Sequence, residues 1–176
     1  RARSASAARP SSSTEHADLG ASVVPSGKDQ HGGLRLRDAK LHDAAAVARL
    51  IEALGYPCDT AEAERRIRRV NASPRQALVV AEWKDAVCGM ISLDFMFYLP
   101  LGRETCRITA LVVDDRFRGH GIGRELLRYA ESAARREHAA RVELTTAASR
   151  TDAHAFYRHC GFEQSSLRFV KALGDA

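Results

Sequence analysis

Ile108-Thr109-Ala110-Leu111-Val112-Val113-Asp114-Asp115-Arg116-Phe117-Arg118-Gly119-His120-Gly121-Ile122-Gly123-Arg124-Glu125-Leu126-Leu127 is the stretch that decides how this chain is read. Ile108 to Val113 is almost wholly apolar, as a strand covered on both faces would be. Asp114 and Asp115 end it. Arg118 to Gly123 then opens a helix whose apolar residues Ile122, Leu126, Leu127, Ala130 and Ala134 recur with a helical period. Glycines at a helix start let a ligand come close to the backbone. The free N–H groups and the positive end of the helix dipole there favour phosphate.

Other phosphate-binding loops fit less well. A dinucleotide fold asks for G-x-G-x-x-G, whereas Gly119, Gly121 and Gly123 give G-x-G-x-G. A nucleotide-triphosphate loop asks for G-K-S or G-K-T, and Arg124-Glu125 stands there instead. A tight turn that merely packs a helix on a sheet is the plain alternative.

Outward from this stretch the periods alternate. Residues 1–33 are rich in Ala, Ser, Gly, Pro and Arg without periodicity, and are expected to be a disordered extension. The folded domain is expected over 34–176. Leu34 to Arg37 alternates as an edge strand. Asp43 is placed to cap a helix carrying Val47, Leu50, Ile51 and Leu54, which Gly55 stops. Asp59 with Glu62 resembles a capping box for a second, arginine-rich helix. Gln76–Trp83 and Val87–Tyr98 read as two strands, with a bulge expected at Gly89. The glycine-loop helix should run to about Glu137. Arg141–Thr146 reads as a strand, Thr151 to Cys160 as a helix stopped by Gly161, and Ser165–Leu173 as a last strand. The predicted order is β-α-α-β-β-β-α-β-α-β, an α/β fold with a mixed sheet and helices on both faces.

Composition narrows the function. The 176 residues suit one domain and a tail, and no apolar run approaches the roughly 18–20 residues of a membrane span. The net charge of +5 fits an anionic ligand. Nucleic acid would also fit the charge, but no finger, RNA-recognition or basic-zipper pattern appears. The four cysteines, Cys58, Cys88, Cys106 and Cys160, lack metal-ligand spacing, so no metal is expected. Free thiols suit a reducing, cytoplasmic setting.

The Arg118-x-x-Gly121-x-Gly123 loop after a Leu-Val-Val strand, with the F-Y-x-x-x-G-F pattern at Phe156 to Phe162, resembles the GNAT superfamily of N-acetyltransferases over about Leu34 to Leu173. Within it, Asp152-Ala-His-Ala-Phe-Tyr157 and Glu163-Gln-Ser-Ser-Leu-Arg-Phe-Val-Lys-Ala-Leu173 look closest to aminoalkylphosphonate N-acetyltransferases. The resemblance implies acetyl-CoA as co-substrate and a small primary amine as acceptor. It implies that Leu111, Val112 and Val113 align the pantetheine arm and that Arg118, Gly119, His120, Gly121, Ile122, Gly123 and Arg124 hold the diphosphate. It implies Tyr157 as the acid for the leaving thiolate.

The chain also departs from the family. Ala110 stands where many relatives carry a general-base Glu. Asp94, Glu143 or a water chain could take that part, and His154 is a further candidate for touching substrate. Arg150 stands where many relatives have Asn, and Asp94 and Tyr98 where the phosphonate relatives have histidines. An aminoglycoside, a polyamine or an amino-acid derivative is the alternative acceptor. A non-catalytic acyl-CoA-binding module is the alternative class, and a homodimer is compatible with either.

Overall fold

The computed structural model describes residues 33–174, so the expected extension over residues 1–33 lies, but for Gly33, outside the described residues. The chain runs β1 (Leu34–Asp38), α1 (Ala44–Ala53), α2 (Thr60–Asn71), β2 (Gln76–Trp83), β3 (Ala86–Tyr98), β4 (Arg103–Val113), α3 (Ile122–Arg136), β5 (Val142–Leu144) and α4 (Thr151–His159). The strands form one five-stranded sheet in chain order. β1 to β4 are antiparallel neighbours, while β4 and β5 run parallel because α3 makes the crossover between them.

The helices cover both faces, as the periodicity implied. On one face α1 and α2 bury Val47, Leu50, Ala63 and Ile67 against Leu78, Val80, Met90 and Val112. On the other, α3 buries Ile122, Leu126, Leu127 and Ala130 against Val79, Ile91, Leu93 and Ile108, with Phe156 and Tyr157 of α4 packed at the margin. β2 and β3 serve both layers, which is why they read as nearly unbroken apolar runs.

Several local expectations are met with corrections. Asp59 caps α2, its Oδ1 accepting from the Glu62 amide at 2.7 Å, but the Glu62 carboxylate turns to Arg65 and Arg66 instead of closing the box. Asp43 precedes α1 without capping it. Its buried carboxylate accepts two bonds from Arg37, at 2.7 and 2.8 Å, and one from the Lys40 amide at 2.8 Å. Burial alone would raise the Asp43 pKa, and these donors bring it below the ordinary value. A charge-assisted fork thus ties the end of β1 to the start of α1. The β2–β3 bulge falls at Cys88, beside Gly89, since the register passes from Gly89 opposite Ala81 to Val87 opposite Glu82.

Two strands were overestimated. β5 spans only Val142–Leu144, not Arg141–Thr146. Among the described residues Ser165–Leu173 forms no strand and pairs with no ladder; Leu167, Phe169, Val170 and Leu173 are exposed. Its alternation is strand-like, but a strand needs a partner as well as a pattern. The described cysteines are all free, with Cys58, Cys88 and Cys106 buried. Among the described residues no helix is long and apolar enough to cross a membrane, and no three His, Cys, Asp or Glu side chains cluster as metal ligands would.

Candidate active site

The site lies where β4 loses one neighbour. β4 pairs with β5 only from Cys106 to Ile108, against Val142 to Leu144. Beyond Ile108 the strands part, while β3 stays paired with β4 as far as Val113. A bulge at this point, with Ser92 opposite Ala110 and Leu93 opposite Ile108, leaves Thr109 as the extra residue. Its hydroxyl bonds the Ser92 hydroxyl at 3.0 Å. From Thr109 to Val113 one edge of β4 therefore has no partner strand among the described residues, a ready template for an extended ligand chain.

The strand then delivers the chain to the glycine turn. Asp114 Oδ1 accepts from the Arg116 amide at 3.0 Å and starts a short 3-10 turn. The Arg116 guanidinium beside it holds the Asp114 carboxyl down at about 2. Gly119 and Gly121 follow with φ of 81° and 77°, the left-handed region that side chains avoid. Gly121 is the N-cap of α3 and brings no side chain to satisfy it. Among the described residues the amides from Gly119 to Gly123 donate to no protein acceptor, which leaves a nest of N–H groups at the positive end of a fifteen-residue helix. A Cβ on Gly119 or Gly121 would meet nothing within 4 Å, whereas one on Gly123 would stand 3.1 Å from Phe156 Cζ. Gly119 and Gly121 thus serve the turn and the open space above it, and Gly123 serves helix packing.

A cavity of about 670 Å³ joins these parts. It is lined by Leu111, Val112 and Val113 of β4, by Arg118, Gly119, Gly121, Ile122, Gly123 and Arg124 of the turn and α3, and by Phe156 and Tyr157 of α4. Ala53 at the end of α1 also reaches it, so it touches helices from both layers. Its size is that of a small-ligand site. Burial pushes the Tyr157 pKa up; the Arg150 cation works against that shift, and Cys160 adds to it. The phenol thus keeps its proton at neutral pH.

Four expected site residues lie outside this lining. His120 turns away from the cavity; its Nδ1 lies 3.2 and 3.0 Å from the Phe117 and Arg118 carbonyl oxygens. Both partners only accept, so Nδ1 carries the hydrogen. His154 Nε2 bonds the Ala147 carbonyl at 3.0 Å and fixes the loop before α4. Glu143 is held by Arg107 and Arg141, each through a different carboxylate oxygen. Asp94 lies on β3 opposite Arg107. The cavity also takes in Ser149, Arg150 and Thr151, ahead of and at the start of α4. The sequence marked Arg150 only as a departure from a pattern, and nothing in its spacing placed it beside Tyr157.

The mixed sheet thus opens beside a glycine-rich helix start, with the half-buried Tyr157 phenol across the cavity. Residues 44–162 match the acetyltransferase (GNAT) family, and the chain belongs to that family. Over 87 residues it is 46% identical to the aminoalkylphosphonate N-acetyltransferase of Salmonella typhimurium, covering 49% of this chain and 56% of that relative. The chain therefore matches only a little over half the length of that curated relative. Among solved structures it is similar to a transcriptional regulator from Bacillus halodurans C-125, with a TM-score of 0.73 at 22% identity over 80% of this chain and 99% of that one. It is similar too to glucosamine-6-phosphate N-acetyltransferase from Arabidopsis thaliana, with a TM-score of 0.69 at 19% identity over 80% of this chain and 98% of that one. At those identities the two structures speak for the fold.

Proposed function

We propose that the protein moves the acetyl group of acetyl-CoA to the primary amine of a small molecule, with an aminoalkylphosphonate as the leading acceptor. One observation supports this most: the open edge of β4, the glycine nest and Tyr157 line a single cavity. In this reading the edge from Leu111 to Val113 pairs with the amide-bearing pantetheine arm as a strand would. The N–H groups from Gly119 to Gly123 bond the diphosphate, and Arg118 and Arg124 add positive charge. The similarity to the Salmonella enzyme supports the acceptor class.

The chemistry needs a neutral amine, an aligned thioester and a proton for the departing sulfur. The amine nitrogen forms a bond to the acetyl carbon as the carbon–sulfur bond breaks. Tyr157 gives its proton to the thiolate, and the surplus amine proton leaves to water. Ala110 can take no proton. Both Glu143 oxygens are already engaged by guanidiniums. Asp94 is the better-placed carboxylate: its same-face neighbour Ser92 stands opposite Ala110. A water on Asp94 can take the amine proton. Four unbridged thiols suit a reducing compartment such as the cytoplasm.

Release of free thiol from acetyl-CoA, followed across aminoalkylphosphonates, aminoglycosides, polyamines and amino-acid derivatives, tests this. Turnover with one class, fastest for aminoalkylphosphonates, is the expected result. Tight acetyl-CoA binding without thiol release on any of them would leave a binding module in place of an enzyme.

A further inference from the structure

The sheet face under α1 and α2 changes character along the strands. Beneath the helices it is apolar, with Leu78, Val80, Met90 and Val112 buried. Beyond their cover it turns polar. Side chains on one face recur at every second residue, so Met90, Ser92 and Asp94 of β3 share this face. The register carries the row sideways: Asp94 lies opposite Gln76 of β2 and opposite Arg107 of β4, and Arg107 lies opposite Glu143 of β5. One rung across the sheet thus presents Gln76, Asp94, Arg107 and Glu143 together. The next pair, Ile108 and Leu144, points into the α3 layer, and there the pairing of β4 with β5 ends. The row is therefore the last feature of its face before the strands part.

Its charges are unevenly matched. Arg107 stands between two carboxylates and bonds one, with Nε and Nη2 at 2.9 and 2.5 Å from Glu143 Oε1. Arg141, held over the Tyr98 ring at 4.5 Å, places Nη2 2.9 Å from Glu143 Oε2. Two guanidiniums share one carboxylate. Just past β5, Arg168 donates to Thr145 Oγ1 at 3.0 Å and has no carboxylate partner among the described residues. The Asp94 carboxylate has neither a hydrogen bond nor an ion pair among the described residues. Surplus positive charge thus gathers at the β5 end of the row and a spare carboxylate at the β3 end. Arg107 and Arg141 keep 45% and 42% of their side-chain surface exposed, and such pairs exchange a partner cheaply.

The geometry points to an acceptor that is itself a dipolar ion, with its ammonium at Asp94 and its phosphonate or carboxylate on Arg107 and Arg141, where Glu143 yields its place. This rests on the acetyl-transfer reading and gives it a means of choosing substrate. A guanidinium fork matches the paired oxygens of such an anion. The ammonium at Asp94 lies within a diagonal step, about 7–8 Å in Cα spacing, of Ala110 beside the gap. A plain amine satisfies only the carboxylate and leaves the arginines to Glu143.

Titration of 2-aminoethylphosphonate, ethylphosphonate and propylamine into the full chain saturated with coenzyme A tests the row, with thiol release from acetyl-CoA measured on both amines. The dipolar ion should bind at least about tenfold tighter than either half. Arg107→Gln should remove that advantage, and Arg107→Lys should restore part of it. Glu143→Gln frees both guanidiniums, so it should tighten phosphonate binding, whereas a purely structural Glu143 predicts weaker binding. Equal affinity for the phosphonate-bearing and the plain amine, no binding of any of the three, or weaker binding in Glu143→Gln overturns the proposal. Thiol release equally fast from both amines also overturns the row and leaves the acetyl-transfer reading standing. Selective binding without thiol release does the reverse.

Discussion

The rings of Trp83 and His120 meet edge to face, with centroids 4.9 Å apart and planes at 88°. Trp83 ends β2, and His120 sits inside the glycine turn. The turn is therefore braced from the sheet through a side chain that faces away from the cavity. His120 in turn fixes two carbonyls of the loop, which keeps the chain's acceptors turned from the space its amides face.

Trp83→Leu keeps an apolar group at the end of β2 but removes the ring contact. Edge-to-face pairs contribute about 0.5–1.5 kcal/mol beyond burial, so coenzyme A should bind about two- to tenfold more weakly. The free chain should lose only a few degrees of Tm, about what one such contact supplies. Calorimetry with coenzyme A and a thermal melt on the same preparation read both. Unchanged affinity would show that the turn holds its shape without the brace.

The two kinds of glycine in the turn should respond differently. Gly121→Ala forces a side chain to adopt φ near 77°, which costs about 1–2 kcal/mol, though its Cβ meets no protein atom. Gly121→Asp adds a negative charge where the diphosphate is proposed to lie. Its coenzyme A affinity should fall well below that of Gly121→Ala. Gly123→Ala instead presses on Phe156, so its main effect should be on the setting of α4 and on turnover. If Gly121→Ala and Gly121→Asp bind coenzyme A equally well, the turn is not the diphosphate site.

The turn and its helix were legible in the sequence because the constraint there is local. Gly119 and Gly121 answer backbone angles set within a few residues, and Ile122, Leu126, Leu127 and Ala130 keep a helical period. Asp43 was misread for the opposite reason. A cap is a contact within one turn, but the Asp43 carboxylate is taken by Arg37, across the β1 corner. Ser165–Leu173 has the alternation of a strand, yet pairing is a non-local event that alternation cannot supply. The parting of β4 from β5 is invisible in sequence, since Thr109 to Val113 reads like any buried strand. The charged row across β2 to β5 depends on register, which a single chain does not print.

Stability should fall in alkali. Burial pushes the Cys88 thiol up to about 11, the Cys106 thiol up to about 12 and the Tyr129 phenol up to about 12. Raised folded values mean that between about pH 9 and pH 12 the folded chain binds more protons than the unfolded one, so unfolding becomes easier as pH rises. The contribution is complete below the ordinary thiol value of 9.0 and is lost as pH climbs through the folded values. At about pH 10.5 Cys106 alone should account for a loss of about 2 kcal/mol. Urea unfolding at about pH 8 and about pH 10.5 measures the drop, and Cys106→Ala should lessen its slope. A flat profile would mean that these groups titrate without unfolding the chain.

Tyr157 is the residue on which the proposed chemistry turns. Its ring packs between Phe156 and Phe162, with centroids 5.4 and 5.9 Å away, and burial keeps its phenol protonated. Tyr157→Phe retains that packing and removes only the proton. Acid–base groups contribute about 10²–10⁴-fold, and a water can replace part of this, so turnover should fall at least ~10-fold while fold and coenzyme A affinity hold. The loss should appear in kcat and in kcat/KM alike, because protonation of the sulfur is an interaction of the transition state. Rapid thiol release with pre-formed acetyl-CoA complex separates that step from product release. A tyrosine present only for packing predicts another pattern: lower Tm, with turnover per folded molecule preserved. Full turnover in Tyr157→Phe would take the acid role from the phenol and leave the departing thiolate to a water, with Arg150, which lines the same cavity and acts on Tyr157, as a cation to steady it.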